Sequence, residues 1–190
     1  CIRDRTYTRG TPNVWSLTSA DDELGLVYVP TGNATPDYFG GHRTEVMDKY
    51  ASSVVAIDAK TGLTRWHFQT THHDIWDYDV PSQPTLADIT VDGALRKVVI
   101  APTKRGEVFV LDRVTGKPIT EVTERPVPQS DLPNERSSQT QPFSTGMPSF
   151  AHQSIQPQDL FGLTPFDQMA CRQQFHELRY EGPMLSLIHI

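Results

Sequence analysis

Between His72 and Asp79 the chain reads HHDIWDYD, so two imidazoles, three carboxylates, an indole and a phenol share eight consecutive residues. Such a run is too polar for a buried strand and too aromatic for an ordinary solvent loop. Its chemistry is proton handling. A carboxylate fixed beside a reacting hydroxyl, with a pKa suited to the task, acts as a general base. The plainer reading is that Asp74, Asp77 and Asp79 cap turns or pair with cations, and that His72 and His73 satisfy loop carbonyls. A second polar turn, at Lys104-Arg105-Gly106, offers an ammonium. A lysine in such a turn is usually solvated, and Arg105 beside it is expected to be exposed.

The chain that must position these groups reads as β structure with long loops. LGLVYVPT, from Leu24 to Thr31, is rich in β-branched and aromatic residues and follows a polar turn, SADDE. A strand from Val54 to Asp58, a turn on Lys60-Thr61-Gly62 and a strand from Thr64 to Gln69 make a hairpin signature. The theme returns with Lys97 to Ala101, then Glu107 to Asp112, then a turn at Thr115-Gly116. No convincing helical period precedes Pro157. From Glu124 to Gln158 six prolines break the chain and predict an irregular stretch that covers something or serves function.

An internal repeat is visible. AIDAKTGLTRW carries the pattern A-x-D-x-x-x-G-x-x-x-W on Ala56, Asp58, Gly62 and Trp66. VLDRVTGKPIT repeats it on Val110, Asp112 and Gly116, with Thr120 in place of the tryptophan. Short strands and glycine turns recurring after roughly 50 residues suggest propeller blades, although two unrelated hairpins would share a D-x-x-x-G turn.

Bulk composition sets limits. The 190 residues carry a formal net charge of −6, which argues against nucleic acid as a partner. No apolar run approaches the roughly 20 residues that span a bilayer. Cys1 and Cys171 define neither a metal site nor a disulfide framework. Both ends read as cut. Leu185 to Ile190, LSLIHI, match the translation of a sequencing-library adaptor and are expected to be non-native, with the natural chain continuing past Met184.

The repeat resembles the tryptophan-docking motif of quinoprotein alcohol and glucose dehydrogenases. Three longer stretches, PNVWSLTSADDELGLVYVPTGNATPDYFGG, TTHHDIWDYDVPSQPTLADI and VVIAPTKRGEVFVLDR, resemble the membrane-bound quinoprotein glucose dehydrogenases, as does FDQMACRQQFHELRYEGP. The likeness runs from about Thr6 to Met184. It implies an all-β fold, a partial eight-bladed β-propeller of three to four blades over residues 1–184. It also implies pyrroloquinoline quinone (PQQ) with Ca2+ or Mg2+ at the propeller axis.

The resemblance assigns roles. Asp77, the Asp after the Trp of HHDIWD, would be the general base, taking the anomeric hydroxyl proton as hydride moves to the quinone. Lys104 would reach the quinone oxygens, and Trp15 of NVWSL would be the flat floor beneath the ring. Asn33 and Thr35 of PTGNATPDYFGG would be metal ligands, although two branches of the family differ over which is used. The implied activity is oxidation of an aldose, glucose, to its lactone, with electrons passed to ubiquinone on the periplasmic face of the bacterial inner membrane. The membrane would be reached only through an N-terminal anchor absent from this sequence, and the fragment alone is expected to be inactive. A quinate/shikimate- or alcohol-type quinoprotein is the alternative enzyme. A non-catalytic propeller scaffold is the alternative of another class.

Overall fold

The computed structural model describes residues 12–151, 154–178, 180, 182 and 184. Cys1, the expected adaptor segment 185–190, and the start of the resemblance near Thr6 lie outside the described residues. Three antiparallel sheets follow one another along the chain. The first has four strands in sequence order: β1 (Ser19–Asp21), β2 (Leu26–Pro30), β3 (Ser53–Asp58) and β4 (Thr64–Gln69). The second joins β5 (Thr85–Val91), β6 (Ala94–Pro102) and β7 (Val108–Asp112). The third pairs β8 (Val122–Pro126) with β9 (Thr140–Ser144).

Strands form where apolar runs can be buried from both sides. Tyr28, Val54, Ala56 and Trp66 of the first sheet meet Val99, Ala101, Phe109 and Leu111 of the second in one core. The opposite face of the second sheet packs Val98, Val108 and Val110 against Ile119 and Met147. β3 is apolar almost throughout for this reason, because each of its faces lies against something.

The two copies of the repeat fold alike. Asp58 Oδ1 accepts the N–H groups of Lys60 and Thr61 and the Thr61 hydroxyl, at 3.1, 2.9 and 3.0 Å. Asp112 Oδ1 accepts the equivalent three, from Val114, Thr115 and the Thr115 hydroxyl, at 3.1, 2.8 and 2.8 Å. Gly62 and Gly116 both take φ of +71°, a conformation that a side chain would strain. Trp66 lies flat against the second turn. A Cβ on Gly116 would fall 2.5 Å from its ring, and the indole N–H donates to the Arg113 carbonyl at 3.2 Å. The Arg113 side chain ties the same two sheets together, binding Asp21 on β1 and Asp88 on β5.

Four features differ from the expectation. β1 falls within SADDE, the segment read as a turn. β5 precedes a two-residue Asp92-Gly93 turn with positive φ at both residues, and Val91 pairs with Ala94 across it. A single-turn helix, α1 (Glu45–Lys49), is capped by Thr44 and precedes Pro157. The stretch read as irregular contains β9 and the end of β8. Pro126 and Pro142 sit in these strands because a two-stranded sheet has free edges that need no proline N–H. Near the C-terminal end α2 (Pro165–Glu177) starts on a capping box between Thr164 and Asp167, with Pro165 in its first turn.

Candidate active site

The segment from Thr70 to Val80 lies in the connection that leads from β4 to β5. Its ends are fixed by Thr70 N–H to Ser52 O at 2.9 Å and Val80 N–H to Thr31 O at 3.2 Å. Inside it, the buried Asp74 carboxylate accepts the N–H of Trp76 at 2.9 Å, the N–H of Tyr78 at 2.7 Å and the Ser52 hydroxyl. Burial pushes the Asp74 carboxyl up to about 6 against those hydrogen bonds. Ile75 and Trp76 anchor the loop below, in a cluster with Val127 and Phe143. With residues 76 and 78 held inward, Asp77 is turned outward at φ +62°. A non-glycine residue in this region costs about 1 kcal/mol or more, which the surrounding loop must overdetermine.

Asp77 meets Lys104. The Lys104 ammonium donates to Asp77 Oδ2 at 3.0 Å and to Asp79 Oδ2 at 2.5 Å. Lys104 is presented by the β6–β7 turn, closed by Gly106 N–H to Thr103 O at 3.0 Å with Gly106 at φ +72°. The same ammonium lies 6.0 Å from the centre of the Trp15 ring, within cation–π range. Trp15 is 55% exposed, so much of its indole is open to solvent beside the ammonium. A Cβ on Gly32 would fall 2.9 Å from Asp79 Oδ1 and 3.2 Å from Trp15 Nε1, so the cluster closes around a residue with no side chain.

One cation therefore faces two carboxylates. Desolvation raises the Asp77 pKa, the Lys104 hydrogen bond pulls it down, and the Asp79 charge pushes it up again; the net is above the ordinary value. Desolvation would lower that of Lys104, but its bonds to Asp79 and Asp77 outweigh it and raise the ammonium above its usual range. A carboxylate biased toward accepting a proton, partly exposed and beside a fixed positive charge, is the equipment of a general base.

Asp77, Lys104 and Trp15 are thus brought together. Asn33 is joined to them through its main chain, whose N–H donates to Asp79 Oδ1 at 2.6 Å. Its side-chain oxygen accepts the Ala34 N–H at 2.7 Å and its amide donates to Asp37 O at 2.9 Å. Thr35 stands exposed beyond Ala34. As placed, these two donors do not form a cation shell, and no group of three or more His, Cys, Asp or Glu side chains does so among the described residues. The exposed Trp15 ring and the Lys104 ammonium beside it do fit a planar, anionic ring.

Two expectations are corrected. Arg105 is buried: it donates to Thr70 O and Pro142 O at 3.0 and 2.9 Å, pairs with Glu107 at 2.9 Å and stacks over Phe143. The turn geometry sends adjacent side chains opposite ways, Lys104 out and Arg105 in. The imidazole rings meet side chains, not loop carbonyls. The His72 ring meets Gln69 and Glu124, and His73 meets Asp48. Asp79, expected to be a turn or ion-pair residue, does form an ion pair, and its partner is the Lys104 of the site.

The family profile described as "PQQ: Glucose/ethanol/alcohol dehydrogenase, beta-propeller domain" matches residues 2–187. The chain belongs to this PQQ β-propeller family. It is 50% identical to the glycerol dehydrogenase large subunit of Gluconobacter thailandicus, over 94% of this chain and 24% of that protein. It is 46% identical to the quinoprotein glucose dehydrogenase of Escherichia coli K12, over 94% of this chain and 22% of the other. Against the quinate/shikimate dehydrogenase (quinone) of Acinetobacter baylyi the identity is 44%, over 93% and 22%. Among solved structures, the quinohemoprotein alcohol dehydrogenase from Comamonas testosteroni superposes with a TM-score of 0.52 at 34% identity, over 71% of this chain and 20% of that one. The chain spans about a quarter of the length of the curated relatives it matches. No helix among the described residues is long and apolar enough to cross a membrane.

Proposed function

We propose that this chain carries the catalytic base and cofactor floor of a quinoprotein dehydrogenase that oxidises the anomeric hydroxyl of an aldose, with glucose as substrate and its lactone as product. The observation that carries the reading is Asp77: outward at positive φ, its pKa raised by burial, and hydrogen-bonded to a lysine that lies 6.0 Å from the centre of the Trp15 ring.

Trp15 offers the face on which the planar ring of PQQ would lie, and Lys104 supplies the charge that would meet its oxygens. PQQ, when bound, is the two-electron acceptor for the hydride. Asp77 accepts the proton of the substrate hydroxyl on a carboxylate oxygen. Its partial burial limits competing water. No metal ion is assigned to Asn33 and Thr35, because the Asn33 side chain is already engaged by the Ala34 N–H and the Asp37 carbonyl. Trp66 against Gly116 is the contact by which one blade of an eight-bladed ring holds the next, and residues 1–184 supply three to four of those blades. Ubiquinone as electron acceptor and a periplasmic, membrane-anchored setting belong to the same reading of the full-length protein.

Asp77→Asn in the full-length protein, reconstituted with PQQ and calcium, tests the base. Turnover should fall on the order of 10² to 10⁴-fold, while PQQ still binds. Near-normal glucose oxidation by that variant removes Asp77 from the role.

A second enzyme reading is favoured by the comparisons, because glycerol, quinate and glucose dehydrogenases stand at 50%, 44% and 46% identity. Dye-reduction rates on glucose, glycerol and quinate separate these substrates. A scaffold with no catalytic role would show no saturable PQQ binding.

A further inference from the structure

We propose that Asp79 is a positioning residue that keeps the Lys104 ammonium beside the Trp15 face when Asp77 gives up its own hold on it. The inference rests on the quinoprotein reading of the site and adds a residue to it.

Lys104 is shared unequally. Its contact to Asp79 is 2.5 Å and its contact to Asp77 is 3.0 Å. The Asp79 side chain is 11% exposed, against 30% for Asp77. Asp79 is also the more firmly held carboxylate. Its second oxygen accepts the Asn33 N–H at 2.6 Å, and that oxygen sits where Gly32 leaves room for it. The Lys104 side chain is one-third exposed and hangs from a turn, so without a fixed partner its four-carbon stem would sample several rotamers.

The catalytic step makes the difference matter. When Asp77 takes a hydroxyl proton it loses the charge that attracts the ammonium. Lys104 keeps its own proton throughout. A lysine bound only to Asp77 would be released at that moment, when its charge is most needed beside the ring. Asp79, which takes no part in the proton transfer and is fixed by the Asn33 N–H, retains it. Two carboxylates around one cation thus separate two tasks: Asp77 exchanges a proton and Asp79 holds the lysine still.

The test uses Asp79→Asn in the full-length protein. This change removes the charge and keeps an oxygen for the Asn33 N–H. Asp79→Ser, whose hydroxyl can also meet that N–H, carries the same expectation if the first variant does not fold. In the cofactor-free protein, acylation of Lys104 by acetic anhydride is followed by mass spectrometry, with the exposed Lys117 as internal reference. The Lys104 rate should rise roughly tenfold, as expected if losing the tighter partner frees about one pKa unit, and should exceed the rise seen in Asp77→Asn. With PQQ present, quenching of tryptophan fluorescence should show weaker cofactor binding, and kcat should fall with KM little changed. An unchanged Lys104 rate in Asp79→Asn, or a larger rise in Asp77→Asn, overturns the inference. An unsubstituted protein that fails to bind PQQ overturns the quinoprotein reading instead. The two failures are distinct because the acylation measurement contains no cofactor.

Discussion

The two halves of the segment from His72 to Asp79 use the same residue types for opposite ends. In the first half, His73 Nδ1 lies 2.7 Å from Asp48, which also pairs with Arg136 and lies 4.0 Å from Arg43. Glu135 approaches the other His73 nitrogen at 3.5 Å and accepts the Gly40 N–H at 2.8 Å. In the second half, Asp77 and Asp79 divide one lysine. Burial works to raise the pKa of Asp48 as it does that of Asp77. At Asp48 the His73 hydrogen bond and the neighbouring cations win, and it is held below the usual carboxylate range. At Asp77 the single ammonium is offset by Asp79, and burial wins. A carboxylate surrounded by enough cations is a structural tie. A carboxylate left one cation short is ready for a proton.

The largest effect that this contrast predicts is a split in Asp77→Asn. Turnover should fall by the 10² to 10⁴-fold expected for a lost general base, yet the melting temperature should not fall. The sign follows from linkage. A carboxyl whose folded pKa is raised contributes stability below its unfolded pKa and loses it as pH rises through the folded value, so at neutral pH the ionised Asp77 is a cost that asparagine removes. A variant that melts earlier but turns over normally would break the contrast.

Next in size is Arg105→Ala. It strands Glu107, whose carboxyl burial already pushes up against the pull of Arg105, and it removes the stack on Phe143. Breaking a buried pair costs about 3–5 kcal/mol, measurable by denaturant unfolding. Lys104→Ala, one residue away and partly exposed, should cost far less stability and far more activity. His73→Ala follows, at about 1–3 kcal/mol, because it takes away the ring that the largely covered Asp48 and Glu135 carboxylates approach from its two nitrogens. Its turnover per folded molecule should stay within a few-fold of the unsubstituted protein, since its ring hydrogen bond goes to Asp48.

A smaller effect is a slope in pH. The Asp74 carboxyl, pushed up to about 6, binds its proton more tightly in the folded state. Its contribution to stability is therefore present below about pH 4, the ordinary carboxylate value, and is lost as pH rises through about 6. Melting temperatures of Asp74→Asn, compared with the unsubstituted protein across that window, should lack this component of the slope. An identical slope in both would show that the loop hydrogen bonds, rather than burial, govern Asp74.

Much of this arrangement was legible in the sequence, for identifiable reasons. β4 matches its expected bounds, and β3 begins one residue earlier than expected, because an apolar run between glycine turns has few other solutions. Gly62, Gly106 and Gly116 declared their turns through the positive φ that each needs. Asp77, Lys104 and Trp15 were nameable by resemblance, and their convergence is a matter of tertiary placement that spacing of 62 and 27 residues does not encode. β5 was hidden because its alternation is diluted by Asp88 and Thr90, one of its faces being half-exposed. Its visible signal was the Asp92-Gly93 pair. The burial of Arg105 was hidden because two adjacent cations in one turn are equivalent until the turn assigns each a side. The Thr70 and Pro142 carbonyls that receive Arg105 come from segments distant in the chain.

The smallest effect is the most discriminating about what a histidine beside a catalytic loop is for. His72 differs from His73 by one position, yet its side chain is about one-third exposed, with Glu124 about half exposed at 3.1 Å. Pairs of that kind are worth at most about 1 kcal/mol, because solvent screens them and both side chains lose freedom. The structural work at this residue is done by the backbone: the His72 N–H donates to the buried Gln141 side chain, which donates back to the His72 carbonyl, both at 2.7 Å. His72→Gln preserves those two bonds. It should change stability by about 0.5 kcal/mol or less and leave turnover unaltered, whereas Gln141→Ala should cost about 1–3 kcal/mol by stranding both backbone groups. A large loss of turnover in His72→Gln at unchanged stability would mean that the imidazole reaches the substrate, and the division of the loop into a structural half and a chemical half would then fail.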